Sequence, residues 1–232
     1  MLDVFALKRL SFYLRFGKRA FDLTASAIGI LLLLPILAAI GLAVRLTSRG
    51  PVLFRQIRVG QFGKPFELLK FRSMRVGSEK GSQLTAVGDP RITPLGVWLR
   101  RTKVDELPQL WNVVRGDMSI VGPRPEVPRF VAQYSDRQRS VLNARPGITG
   151  PKINVFEEEL LARQVDKQQF YLNTLLPAKL ETDLAYVSEI CFFTDLDVLL
   201  QTFKKLLSRV HEPYKVPGQA TASSLEAQSS DK

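Results

Sequence analysis

The chain holds a single cysteine, Cys191, and a single histidine, His211. One cysteine excludes an internal disulfide framework and any cysteine-built zinc or iron–sulfur cage within one chain. A lone histidine beside a polar tail argues against Ser-His-Asp catalysis, the HExxH motif and histidine-ligated metals. No Walker A loop, GxGxxG or kinase motif set occurs either. Any chemistry must therefore be carried by carboxylates and by Lys or Arg. Acid is scarce beside base: 33 Lys+Arg stand against 22 Asp+Glu, a formal net charge of +11. Such an excess implies an anionic partner, whether nucleic acid, anionic lipid or a phosphorylated substrate.

Charge is also missing from one long stretch. The 22 residues Leu23–Val44 read LTASAIGILLLLPILAAIGLAV without an ionisable side chain. At about 1.5 Å per residue they can cross a bilayer core of about 30 Å. The run begins late and lacks a small-residue cleavage site before polar sequence, which disfavours a cleaved signal peptide. Pro35 lies mid-run, removes a backbone donor and clashes with the preceding turn, so a kink or break is expected there. Basic residues flank both ends: Lys8, Arg9, Arg15, Lys18 and Arg19 before, Arg45, Arg49, Arg55, Arg58 and Lys64 after. Positive charge favours the cytoplasmic side, and a bent helix that enters and leaves one leaflet satisfies both flanks. A re-entrant hairpin is thus expected over a proline-kinked span. Cysteines placed at Leu10 and Ser48 should label from the same side; opposite-side labelling would exclude the hairpin.

The N-terminal DVFALKRLSFYLRFGKR mixes Phe, Leu and Tyr with Lys and Arg, as an interfacial anchor does. Residues 196–210, LDVLLQTFKKLLSRV, place Val198, Leu199, Phe203, Leu206, Leu207 and Val210 near helical spacing, with Lys204, Lys205 and Arg209 towards the other side. Such a helix suits a membrane surface or a core with a solvated basic face. The intended division is a basic interfacial segment at 1–22, a membrane helix at 23–44, a cytosolic domain at 45–211 and a disordered tail at 212–232. Within the domain, VLFRQIRVG and KPFELLKFRSM read as a hairpin around Gly60–Gly63. PLGVWLRRTKV and DELPQLWNVVRG read as short helices, the second capped by Asp105 with Pro108 in its first turn. MSIVGPRPEVP suggests a strand entering a rigid turn, and residues 127–142 and 157–176 look helical. The fold class is α/β (α+β): a small, irregular, helix-rich domain with a β-hairpin, attached to a Pro-broken membrane element.

Arginines recur beside turn formers in this domain. Lys70, Arg72 and Arg75 lie in KFRSMR, Arg100 and Arg101 precede Asp105-Glu106, Arg124 lies within GPRP, and Arg145 precedes Pro146-Gly147. The planar guanidinium fork suits phosphate oxygens, and rigid Pro/Gly loops hold it at low entropic cost. Asp105-Glu106 is the most suggestive acidic pair. A carboxylate can attack phosphorus to form an acyl phosphate, or hold a divalent cation against phosphate oxygens. From the residues alone the chain is a membrane-bound handler of phosphates; the substrate stays open.

Four segments occur in order: KRAFDLTAS before the apolar run, KFRSM, LRRTKVDELPQLWNVVRGDMSIVGPRPE, and RPGITG. Together they resemble the bacterial sugar transferase family, the monotopic phosphoglycosyl transferases. The likeness is strong from about Lys18 to Gly150 and weaker through Asp183 and Tyr186 to about Leu200. It implies a re-entrant helix at the bacterial inner (cytoplasmic) membrane, on its cytosolic face, and a two-step reaction. Asp105 matches the family's nucleophile and would take a phosphosugar from a UDP-sugar with release of UMP; undecaprenyl phosphate would then receive it. Glu106 completes the family's acidic dyad, and Mg²⁺ held at Asp105 is the expected cofactor. Lys70, Arg100 and Arg124 match basic positions around the phosphates, and Asp183 matches a further acidic position near them. The implied role is the first membrane step of exopolysaccharide, O-antigen or glycoprotein glycan synthesis, with downstream glycosyltransferases as partners.

Two departures stand out. The family's usual Ser-Pro at the helix break is Leu34-Pro35 here, and the Trp-Ala-Gln-Val-Asn-Gly that often follows RPGITG is replaced by Pro151-Lys152-Ile153-Asn154. The extra N-terminal membrane bundle of larger members is not expected. These departures motivate the alternative of a catalytically silent membrane scaffold for glycan assembly, which would release no UMP. Nucleic acid is not an expected partner, because the acidic dyad and the lack of an aromatic platform in a basic stretch oppose it.

Overall fold

The computed structural model describes residues 13–78, 84–151 and 157–211. The expected tail at 212–232, most of the N-terminal segment and the departure at Lys152–Asn154 lie outside the described residues. Helix α1, Lys18–Thr47, contains the apolar run and extends beyond it at both ends. A hairpin of β1 (Leu53–Val59) and β2 (Pro65–Phe71) follows, antiparallel, pairing Leu53 with Phe71 and Val59 with Pro65. Next come α2 (Pro94–Thr102), a 3₁₀ turn (Val104–Glu106), α3 (Gln109–Arg115) and the short strand β3 (Ser119–Val121). β3 pairs in parallel with β4 (Gly147–Thr149). Between them lie two single-turn helices, α4 (Pro128–Val131) and α5 (Asp136–Arg139). The C-terminal part contains α6 (Glu157–Ala162), α7 (Lys167–Phe170), α8 (Leu176–Ser188) and α9 (Phe192–His211). The expected fold class is observed, as are the hairpin and the helix at 94–102.

The KRAFDLTAS segment acts as a clasp. The Arg19 guanidinium donates to the Val113 and Val114 carbonyls at 2.6 and 3.0 Å in the last turn of α3, adding to the bond that Val113 already accepts from the Gly116 amide. Asp22 accepts from the Ile120 amide in β3 at 3.0 Å. The Lys18 ammonium donates to the Val121 carbonyl and pairs with Asp195 at the start of α9, which Tyr13 and Tyr186 also hydrogen-bond. These bonds explain why α1 starts at Lys18 and not at Leu23.

The other end of α1 docks on the same body. Ile40 and Val44 pack with Phe71 of β2 and Leu99 of α2. Arg72 fastens this end: its guanidinium donates to the Pro51, Val44 and Ser48 carbonyls and to Ser48 Oγ. Between the two docked ends Leu31, Leu32, Leu34 and Ile36 are all more than half exposed, a cluster that water does not accommodate in monomeric soluble proteins. By length and composition α1 is apolar enough to cross a membrane. Helical assignment is uninterrupted through Pro35, so the expected break does not divide α1 into two helices. Replacing Arg72 by Leu is expected to lower the unfolding free energy by about 3 kcal/mol, because four acceptors around a buried site lose a charged donor. Chemical unfolding in detergent micelles measures it.

The largest apolar core joins Val127, Phe130 and Val131 of the loop and α4 with Tyr171, Leu176 and Leu180 of the C-terminal helices. Residues 127–142 are not one helix, because Ser135 forms a capping box with Gln138 and restarts the chain as α5. The helix expected at 157–176 is likewise divided. Residues 163–166 separate α6 from α7, where Asp166 caps the restart, and α7 then runs through a wider turn at Tyr171–Leu175 into α8, with Pro177 in the first turn of α8.

Candidate active site

The acidic dyad sits where four elements meet. Asn112 of α3 is fully buried and pins that helix to β2: the Leu69 amide donates to Asn112 Oδ1 at 3.1 Å, and Asn112 Nδ2 donates to the Glu67 carbonyl at 2.7 Å. β2 carries Lys70, so this bond sets the distance between Lys70 and the turn preceding α3. Lys103 ends α2 in the left-handed region, at φ 59°, which reverses the chain into the 3₁₀ turn holding Asp105 and Glu106. Asp105 is therefore not a helix N-cap: it lies within that turn, and the N-cap position of α3 belongs to Pro108. Gly122 and Gly147 let β3 and β4 close tightly, since a Cβ on Gly147 would stand 2.1 Å from the Gly122 nitrogen. The rigid turn that follows β3 presents Arg124.

Glu106 Oε1 accepts from Lys70 Nζ at 2.8 Å and from Arg124 at 3.1 Å, with Lys103 Nζ at 4.0 Å. Burial alone would raise the Glu106 carboxyl, but Lys70, Arg124 and Lys103 outweigh it and hold it well below the usual range. Asp105 behaves oppositely. Burial pushes it up, Lys70 opposes that, and the neighbouring Glu106 charge pushes it up further. Two adjacent carboxyls thus have separated proton affinities, an arrangement typical of paired acids with different tasks. Asp105 Oδ1 is buried and accepts no hydrogen bond. Lys70, Arg100, Lys103 and Arg124 stand against these two carboxylates, leaving net positive charge for an anionic ligand.

A cavity of about 920 Å³ opens beside the dyad. Lys70, Arg72, Arg100, Glu106, Arg124 and Asp183 line it; Asp105, only 3% exposed, does not. Arg72 also lines it, while its guanidinium donates to the Val44 and Ser48 carbonyls at the end of α1. Arg145 is not among the lining residues. It lies near Arg19, whose proton affinity is lowered chiefly by burial and further by the Arg145 charge, on the side where α1 meets α3. Pro35 is exposed in the middle of α1.

Sequence reasoning assigned no role to a second buried cluster on the cavity wall. Glu126 Oε1 accepts from Tyr171 and, at 3.0 Å, from Lys179, while Arg58 stands 3.6 Å from its other oxygen. Burial would raise Glu126, but Lys179 and Arg58 hold it below its ordinary value. The only sequence signal was an acid directly after the rigid GPRP turn; Lys179 and Tyr171 carry none. Asp183 lies near this cluster and is pushed up to about 7, chiefly by burial, against the pull of Lys179. An unfolded Asp titrates near about 3.9. Its folded value is raised, so stability is unaffected below about 4, falls as pH rises towards 7, and stays reduced above it. Asp183→Asn should therefore be more stable than the parent at pH 8 by about 4 kcal/mol, with the difference vanishing near pH 4. Unfolding midpoints across that range decide it; a constant difference would contradict the titration.

A model of the bacterial sugar transferase family matches residues 13–209. The chain belongs to the bacterial sugar transferase family. Among its relatives, the undecaprenyl-phosphate glucose phosphotransferase of Komagataeibacter xylinus is 39% identical over 217 residues, covering 88% of this chain and 38% of that one. A putative undecaprenyl-phosphate N-acetylgalactosaminyl 1-phosphate transferase of Bacillus subtilis is 44% identical over 133 residues, covering 57% of this chain and 70% of the other. The UDP-glucose:undecaprenyl-phosphate glucose-1-phosphate transferase of Escherichia coli is 39% identical over 196 residues, covering 82% and 40%. The chain thus spans about two fifths of two of these relatives.

Proposed function

We propose that this sugar transferase moves a sugar-1-phosphate from a UDP-sugar to undecaprenyl phosphate through an aspartyl intermediate. The observation that carries the reading is the orphaned Asp105 carboxyl oxygen beside a Glu106 already neutralised by Lys70 and Arg124. Asp105 attacks the phosphorus that bears the sugar. The bond from that phosphorus to the bridging oxygen breaks, and UMP leaves with the electron pair. An oxygen of the lipid phosphate then attacks the same phosphorus, the carboxylate is released, and the product is a lipid diphosphosugar. Asp105 Oδ1 breaks no hydrogen bond in turning towards the cavity. The ionised Glu106 keeps Lys70 and Arg124 fixed for the phosphates, so little reorganisation accompanies the step.

Mg²⁺ suits this donor set. It is commonly held by one or two carboxylates together with substrate phosphates. Asp105 would hold it through the carboxylate oxygen that does not attack phosphorus, with substrate phosphates completing the set, since no group of three or more potential ligands occurs among the described residues. When bound it would offset charge on the phosphate oxygens.

The docking of both ends of α1 on one soluble body supports re-entry from the cytosolic face, as does the exposure of its middle. A spanning helix would carry one of those ends across the bilayer. The reading places the protein at the start of a membrane-bound glycan assembly, ahead of glycosyltransferases that extend the lipid-linked sugar. The purified chain with Mg²⁺, undecaprenyl phosphate and a panel of UDP-sugars should release UMP in step with a lipid-linked product. No UMP from any donor would favour the silent scaffold.

A further inference from the structure

The cavity has a second, apolar wall that the phosphate chemistry does not use. Leu107 and Leu110, which follow the dyad in the chain, line it together with Ile148 of β4 and Leu206 of α9. Leu110 is also the side chain nearest Gly29 of α1, 3.5 Å from where a Cβ there would stand, so this wall begins where the membrane helix docks. Exposed apolar side chains adjoin these lining residues in the chain. Trp111, next to Leu110, is 52% exposed; Phe203 and Leu207, flanking Leu206 on α9, are 62% and 48% exposed. A carboxylate–cation centre at the inner end and apolar side chains leading outward make an amphiphilic slot.

We propose that the first isoprene units of the lipid acceptor enter the cavity along Leu107, Leu110 and Leu206, which presents the phosphate to the dyad. The proposal rests on the functional reading above and deepens it by naming the acceptor's route. The occupant follows from the continuity of the slot. Its charged end suits a phosphate, and its wall suits a hydrocarbon and adjoins the helix that enters the lipid. A nucleotide-sugar, whose weakly polar surface is limited to the uracil faces, gains less from the wall than a hydrocarbon chain does. Leu206 points inward while its neighbours Phe203 and Leu207 stay exposed, so α9 would border both the slot and the lipid.

The test uses the full chain in nanodiscs, with UMP release followed while either undecaprenyl phosphate or the UDP-sugar is varied. In Leu206→Trp, the ratio of acceptor KM to donor KM should rise about tenfold or more, because the larger ring fills the slot. An unchanged ratio, with turnover intact, would overturn the route and leave the reaction standing. Absence of UMP release by the unaltered chain would instead overturn the reaction itself. If Leu206→Trp does not fold, Leu110→Asn decides by the same ratio, since a polar amide on the wall should also weaken the acceptor selectively.

Discussion

Asp105→Asn should abolish UMP release, lowering the rate by about a thousandfold or more, as removal of a covalent nucleophile does elsewhere. The variant should fold normally. Burial already disfavours the charged form of Asp105, so a neutral amide of the same shape meets no worse an environment. The neighbouring Glu106 also loses a like charge. Stability at pH 8 should therefore match or exceed that of the parent, and thermal unfolding beside the rate assay separates lost chemistry from lost structure. Substantial UMP release by a folded Asp105→Asn chain would remove Asp105 from the nucleophile's role.

Lys70→Met should damage both stability and turnover. The ammonium lies 2.8 Å from Glu106, and Met keeps the length while deleting the charge. Removing one partner of a buried pair leaves the other exposed to its desolvation cost, about 3 kcal/mol here, since Arg124 and Lys103 still support Glu106. The sign of the pH dependence follows from Glu106. Its folded value is depressed, so its contribution is present above the unfolded value near about 4.3 and is lost as pH falls through the folded one. The Lys70→Met deficit should thus be largest at neutral pH and shrink in acid. UMP release should fall by about a hundredfold or more, because a preorganised cation is missing from the phosphates. Without Lys70 the Asp105 carboxyl also rises further, so part of the rate should return as pH is increased.

Local signals in the sequence predicted the elements whose cause is local. The β1–β2 hairpin follows from Val, Ile and Phe around a glycine turn, and PLGVWLRRTKV reads as the short helix α2, which Thr93 caps in the structure. The dyad and three of its cations lie within one continuous motif or a short strand away, so Lys70, Arg100, Glu106 and Arg124 were legible together. Contacts between distant segments were not. Nothing near Arg72 in sequence shows that Val44 and Ser48 return to it, and a phosphate site was the natural reading of KFRSMR. Arg145 sits on the rigid RPG turn as expected, but nothing in that turn shows that it lies beside Arg19 and outside the cavity lining. The KRAFDLTAS segment was legible as a motif, while its physical task became visible only when Lys18, Arg19 and Asp22 met carbonyls and amides about a hundred residues away. Glu126, Tyr171 and Lys179 come from three separate elements, and no spacing in the chain relates them.

The most direct test of the central claim is the mass of the protein after incubation with a UDP-sugar and Mg²⁺ in the absence of any lipid acceptor. A covalent mechanism requires an adduct equal to one phosphosugar, accompanied by one equivalent of UMP and located by peptide mapping at Asp105. Adding undecaprenyl phosphate should discharge it. Steady UMP release in the presence of acceptor, with no adduct at Asp105 in its absence, would contradict the claim and point to direct transfer between the two phosphates.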